Sequence, residues 1–187
     1  KNDDLLHNAG YNHFMTELRE LFMLDPSLIY LNHGSFGATP SEVFKEYQRW
    51  QKELEFQPVE FLGRRYRDLM SESRAVLGNY LGTSTDNLVY TTNVTESINV
   101  IARSLLLKPG DEVLGTNHEY GAIERTWRYL SKEKGFRYVI QSIPIPYTSD
   151  REFVEEFWKG VNSNTRVICV SHITSPTALL FPVKEII

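Results

Sequence analysis

The stretch LVYTTNVTESINVIARSLLL, residues 88–107, decides how the rest of the chain is read. Residues 88–91 have the apolar, β-branched and aromatic character of a short strand. Thr92, Asn93 and Thr95 then form a polar turn that carries no Lys or Arg. An apolar helix over 95–106 follows. A helix opening there points its unpaired first-turn N–H groups, and the positive end of its dipole, at the turn. That arrangement suits a phosphate. Thr95 either caps the helix or gives its hydroxyl to a ligand, and an ordinary capped turn accounts for the residues equally well.

Downstream, strand and helix keep alternating. The pattern predicts a strand at 112–116 and a helix around 120–134, with Tyr120, Ile123, Trp127 and Leu130 on one face and a stop at Gly135. A strand at 136–141 is next. Ser149-Asp150-Arg151-Glu152 is a capping box, opening a helix with Phe153, Phe157 and Val161 inward. Val167, Ile168 and Val170 make 166–171 a near-continuous apolar strand, as in a sheet buried on both faces. Four alternations predict an α/β domain whose mostly parallel sheet is flanked by helices.

Upstream, residues 1–27 read as a helical lead-in, with Phe14, Leu18, Leu21 and Phe22 at helical spacing. His7 and His13 lack partners at metal spacing and read as surface residues. Residues 28–187 form the sheet-bearing domain. It opens with a brief strand at 28–31 and the loop Asn32-His33-Gly34-Ser35-Phe36-Gly37, whose glycines permit close backbone approach. A glycine turn with incidental polar residues explains this loop as well. Thr39-Pro40-Ser41-Glu42 is a second capping box, heading a helix with Val43, Tyr47, Trp50 and Leu54 as a core stripe. A helix over 60–81 buries Tyr66, Leu69, Met70, Val76, Leu77 and Tyr80, with Gly82 as its C-cap. Arg64, Arg65 and Arg67 cluster near its start, the poor end for cations, which hints at an acidic partner.

The 187 residues are 41% hydrophobic and 24% charged, ordinary for a globular protein, and the net charge of −4 leaves no basic footprint for nucleic acid. No apolar run approaches a membrane span. The single cysteine, Cys169, excludes an internal disulfide and fits a reducing, cytoplasmic compartment; its mid-strand position reads as packing. The sequence starts at Lys1 without a methionine and closes just after Pro182, a residue suited to a first helical turn, so it reads as part of a longer protein.

Ligands of parallel sheets bind beyond the strand C-termini. Three polar clusters fall there: Thr92 to Thr95, Asn117-His118-Glu119-Tyr120, and His172-Ile173-Thr174-Ser175-Pro176-Thr177. Together they offer a phosphate anchor, a ring that could stack on a flat ligand, and hydroxyls for a ring substituent. Each has a plain alternative: His118 as a surface residue, His172 as a satisfied core histidine, Tyr120 as core. Walker, GxGxxG and nucleophile-elbow motifs are absent.

The run Tyr30 to Pro40 (YLNHGSFGATP), with His118-Glu119-Tyr120-Gly121-Ala122 and Thr174-Ser175-Pro176-Thr177, resembles the class V aminotransferases of PLP fold type I. The branch it resembles is the isopenicillin N epimerase-like one, which includes hercynylcysteine sulfoxide lyases and is related to cysteine desulfurases. The resemblance runs from about Phe22 to the end. It implies pyridoxal 5′-phosphate (PLP) as cofactor and an amino acid as substrate, processed through an external aldimine by an epimerase, a C–S lyase or an aminotransferase. It implies that Asn93, Val94 and Thr95 hold the PLP phosphate and that Tyr120 stacks on the pyridine ring. It implies that Thr174 and Ser175 fall near the group that bonds the PLP phenolic oxygen. The resemblance also implies that Asn32, His33 and Gly34 lie near the substrate carboxylate and that Arg64 reaches a neighbouring subunit's site in a homodimer. Ala178 stands where the family usually has glycine. The family's pyridine-binding aspartate and Schiff-base lysine have no match here; Lys184 does not correspond to that lysine. The chain alone is therefore expected to be inactive, the remainder being supplied by the full-length form or a second chain. The other class left open is a non-catalytic α/β module that binds a phosphate or nucleotide.

Overall fold

The computed structural model describes residues 18–187. Phe14, His7, His13 and most of the expected lead-in helix lie outside the described residues. The described chain divides into two compact units, meeting in sequence between Val89 and Tyr90.

The first unit is helical. A single turn, α1 (His33–Phe36), precedes α2 (Ser41–Phe56), a π-helical segment at Val59–Arg65, and α3 (Tyr66–Leu81). Charge pairing on α2 follows helical spacing: Lys45 with Glu42, and Arg49 with both Glu46 and Glu53. Trp50 meets Phe61 edge-on at 5.9 Å and lies under the Arg49 guanidinium. Gly82, at φ 68°, ends α3 in the left-handed conformation, and its N–H and that of Thr83 close on the Gly78 carbonyl. Gly78 is buried because the returning chain crosses it; a Cβ there would come within 2.8 Å of the Thr83 carbonyl oxygen.

Several expectations for this half need correction. Residues 28–31 form no strand, since no ladder partner faces them among the described residues. Thr39 does not cap α2: the N-cap is Pro40, and the Ser41 N–H is already bonded to the Leu21 carbonyl at 2.7 Å. The core stripes are largely unburied, with Val43, Tyr47, Tyr66, Val76 and Tyr80 all exposed, because among the described residues of this unit no second layer covers α2 and α3.

The second unit is α/β: α4 (Val94–Ser104), β1 (Glu112–Thr116), α5 (Gly121–Lys134), β2 (Arg137–Gln141), α6 (Asp150–Trp158), β3 (Thr165–Ile168) and α7 (Val183–Ile186). The three strands are parallel in the order β2-β1-β3. Every residue of β1 is buried. Side chains alternate across a strand, so neighbours Val113 and Leu114 enter different cores. Val113 packs with Ala102, Ile123, Trp127, Leu130 and Phe136, from α4 and α5 and the start of β2. Leu114 packs with Ile143, Phe153, Phe157, Phe181 and Ile186, from α6 and α7 and the loops beside them. Each such burial contributes about 1.5–3 kcal/mol. Ile123, Trp127 and Leu130 are spaced four and three apart, which puts one face of α5 on the sheet. The Lys134 ammonium then reaches the Arg103 and Leu105 carbonyls at 2.9 and 3.1 Å, at the C-terminal end of α4.

Here too the structure differs from the pattern. Residues 88–91 lie outside the sheet among the described residues, with Leu88 extended at φ −116° and ψ 134°. Three alternations therefore carry the sheet instead of four. β3 is not buried on both faces: Arg166 and Ile168 are exposed, β3 being an edge strand among the described residues. At the Ser149 box the serine does accept from the Glu152 N–H, but Glu152 turns to the Thr148 N–H and hydroxyl instead of the serine's own N–H.

Gly115 admits the Tyr138 ring from β2; a Cβ would approach two ring carbons at 3.1 Å and collide with the phenol oxygen. Gly115→Ala should therefore cost about 1–3 kcal/mol by overpacking. Tyr138→Phe should recover part of that loss, as measured by urea unfolding of the two single variants and the double variant.

Candidate functional site

The α4 N-terminus is capped by Asn93, whose side-chain oxygen accepts from the Glu96 N–H at 2.9 Å. Asn93, not Thr95, is thus the cap, and the helix begins one residue earlier than the sequence suggests. Val94 and Thr95 occupy the first turn, where helical geometry provides their N–H groups with no acceptor. Val94 is exposed and Thr95 half-buried. The turn's carboxylate, Glu96, is engaged by the Thr92 hydroxyl. Thr91 and Ser97 share a hydroxyl–hydroxyl bond of 2.6 Å beside it. The Asn99 amide bonds the Thr126 hydroxyl at 3.1 Å, tying α4 to α5.

Tyr120 is the N-cap of α5 and is 49% exposed, so it is not core beside Ile123 and Trp127. His118 is buried, not a surface residue: its Nε2 lies 2.9 Å from the Ile143 carbonyl oxygen, and its ring meets Phe181 edge-on at 5.7 Å. His172, in contrast, is exposed and lines a shallow hollow of about 340 Å³ with Asp150, Phe181 and Lys184. Thr174 is buried; its hydroxyl accepts from the Leu179 N–H at 2.9 Å and lies 2.7 Å from the Thr177 hydroxyl. Ser175 is exposed on the turn this bonding holds. The Ala178 backbone sits at φ 53°, a left-handed conformation natural to glycine.

The residues expected at the substrate belong to the first unit. Asn32, at the N-cap position of α1, and Gly34 within it are exposed. His33 stacks edge-on against Tyr30 at 4.8 Å, and its Nδ1 accepts from the Ala38 N–H at 3.4 Å. Gly34 has open space where a Cβ would lie, while a Cβ on Gly37 would come within 3.0 Å of the His33 carbonyl oxygen. Arg64 pairs with Glu60 at 3.1 Å and Arg65 with Glu53 at 2.6 Å, so the acidic partners of these two arginines are local.

One residue was missed by sequence reasoning. Glu119 is only 7% exposed, and both its oxygens are engaged. Oε1 accepts from the Thr116 hydroxyl at 2.8 Å and the Ser171 N–H at 3.2 Å; Oε2 accepts from the Ser171 hydroxyl at 2.7 Å. The carboxylate joins the turn after β1 to the residue just past β3, so the Tyr120 and Thr174–Thr177 clusters share one edge of the sheet. No sequence signal marks a contact across that interval. Nearby, the Tyr138 phenol has no partner among the described residues, and burial, then the Glu119 charge, push it well above the usual range.

The sequence profile of the Aminotransferase class-V family matches residues 29–187. The chain belongs to this family. Isopenicillin N epimerase of Amycolatopsis lactamdurans is 31% identical over 171 residues, covering 90% of this chain and 43% of that protein. Hercynylcysteine sulfoxide lyase of Schizosaccharomyces pombe is 22% identical over 184 residues, covering 98% of this chain and 46% of that protein. The chain thus spans less than half the length of these relatives. Among solved structures, a C-DES variant with glycine covalently linked to its PLP cofactor superposes with a TM-score of 0.78 at 20% identity, covering 90% of this chain and 44% of that one. The cystine C–S lyase C-DES in complex with cysteine persulfide gives the same TM-score. These matches show that the class V fold is shared: a parallel sheet flanked by helices.

The described residues fit the family's cofactor at two points. The α4 N-terminus offers first-turn N–H groups and a dipole to a phosphate, and Tyr120 presents a half-exposed aromatic face. Removing the α4 cap by Asn93→Ala should cost about 1 kcal/mol, read as a lower urea midpoint at unchanged slope. Burial pushes the Cys169 thiol up, so little thiolate forms near neutral pH. Iodoacetamide at pH 8 should label the Cys169 peptide many-fold more slowly in native than in guanidine-unfolded protein, as followed by peptide mass spectrometry.

Proposed function

We propose that this chain supplies the phosphate cradle and ring-facing aromatic of a PLP-dependent enzyme acting on an amino acid, by epimerase, C–S lyase or aminotransferase chemistry. The observation that carries the reading is the α4 N-terminus, open at Val94 and Thr95, within a chain of the class V family. PLP, when bound, supplies an electron sink for charge developing on the substrate. The residues of this chain bind and orient. The first-turn N–H groups of Val94 and Thr95, the Thr95 hydroxyl and the Asn93 amide hold the phosphate. Tyr120 covers one face of the pyridine ring and keeps water from it. Ser175 donates its hydroxyl proton toward the phenolic oxygen, and buried Thr174 keeps that turn in place.

Asn32, His33 and Gly34 belong to the substrate carboxylate side, and Arg64 to a neighbouring subunit in a homodimer; these four rest on the family resemblance. No residue of this chain is assigned the Schiff-base lysine. By itself the chain is proposed to be inactive. The single cysteine fits a reducing, cytoplasmic setting.

In the full-length enzyme, Thr95→Val should weaken cofactor binding by about 10- to 100-fold, since a hydrogen bond to a charged group contributes ~1.5–3 kcal/mol. Tyr120→Ala should loosen the cofactor as well. Equilibrium dialysis against PLP measures both. Unchanged affinity in Thr95→Val would remove the phosphate assignment.

A further inference from the structure

The turn between β1 and α5 poses a problem of orientation. Tyr120 is half exposed, and among the described residues no ring or cation stacks on its ring. The Cα–Cβ bond from which the ring departs is aimed by its backbone, which sits at φ −63° and ψ 129° as the α5 cap. That backbone is one peptide bond from Glu119.

We propose that Glu119 is a positioning residue that fixes the Tyr120 ring against the cofactor by locking the β1–α5 turn to Ser171; this rests on the ring-facing role given to Tyr120 above. Three buried carboxylates lie between Asp111 and Glu119. The two at the N-terminal edge of the sheet have cationic partners, Asp111 with Arg166 at 3.5 Å and Glu112 with Arg137 at 3.3 Å. Glu119, at the ligand edge, has none among the described residues; two hydroxyls and one peptide N–H replace its hydration. A buried carboxylate without a cation is a costly way to join two loops, and an apolar contact would hold them with less loss. What the carboxylate adds is direction. Three donors on two oxygens fix its plane, and Glu119 N–H to the Thr116 carbonyl at 3.4 Å closes the turn from the other side. The lock crosses 52 positions, so the ring-facing turn and the loop after β3 keep one spacing.

The test uses the full-length enzyme with PLP. Circular dichroism of the visible cofactor band, per bound cofactor, reports how the ring is held; thermal unfolding reports stability separately. Glu119→Ala and Ser171→Ala should each reduce the band at least twofold at saturating cofactor. Glu119→Gln keeps an acceptor for Thr116 and the Ser171 N–H and should restore most of it. Phe157→Leu, which loosens the core on the opposite face, should lower the melting temperature and leave the band unchanged. An unaltered band in Glu119→Ala, or an equal loss in Phe157→Leu, overturns the proposal. If Glu119→Ala does not fold, Ser171→Ala decides by the same measure. A wild-type enzyme that binds no PLP removes the Tyr120 role and this proposal together. A band changed by Tyr120→Ala but by neither Glu119→Ala nor Ser171→Ala removes this proposal alone.

Discussion

The second unit depends on the double burial of β1. A strand covered on both faces needs two layers, and Val113 and Leu114, adjacent in sequence, send one side chain into each. Helices α4 and α5 close one layer, α6 and α7 the other. Because the strands are parallel, that packing also gathers their C-terminal ends on one edge. The turn after β1 and the loop after β3 meet there through Glu119 and Ser171. The opposite edge is tied by Arg137 and Arg166 to buried acids. The two edges of the sheet are thus held by different chemistry: ion pairs where nothing has to be oriented, neutral donors where ligands of this fold class sit.

Much of this was legible in the chain. The strand at 112–116, the α5 stripe of Ile123, Trp127 and Leu130, and the stop at Gly135 follow from periodicity and cap chemistry, both local signals. The family could be read from the quoted motifs, since each is a contiguous run and together they are spread from Tyr30 to Thr177. Other features were not legible. Residues 28–31 and 88–91 have strand composition, but a strand exists only where another pairs with it, and composition does not report the partner. The stripes on α2 and α3 have the right spacing for a core, yet Val76 and Tyr80 stay exposed, because spacing says which face is apolar and not what covers it.

At the site the same division holds. The α4 turn was readable because its residues are contiguous, though its cap proved to be Asn93: the carboxamide reaches the Glu96 N–H while Thr95 has already entered the helix. His118 is buried and His172 exposed, so neither takes the plain alternative, surface for His118 and core for His172. Burial of His118 depends on Ile143 and Phe181, far along the chain, and no local pattern encodes such a contact. Glu119 was hidden for the same reason.

The strand order also has a consequence for how this unit assembles. β1 meets β2 across the α5 crossover, whereas β1 meets β3 only after the chain has passed through β2 and α6 as well. The second loop is roughly twice the first, and each doubling of a loop adds about 0.6 kcal/mol of closure entropy. The β1–α5–β2 portion therefore has the lower contact order and the better claim to nucleate the sheet. β3 joins an existing edge, and the Glu119–Ser171 lock can form only then, so the ligand edge is completed late.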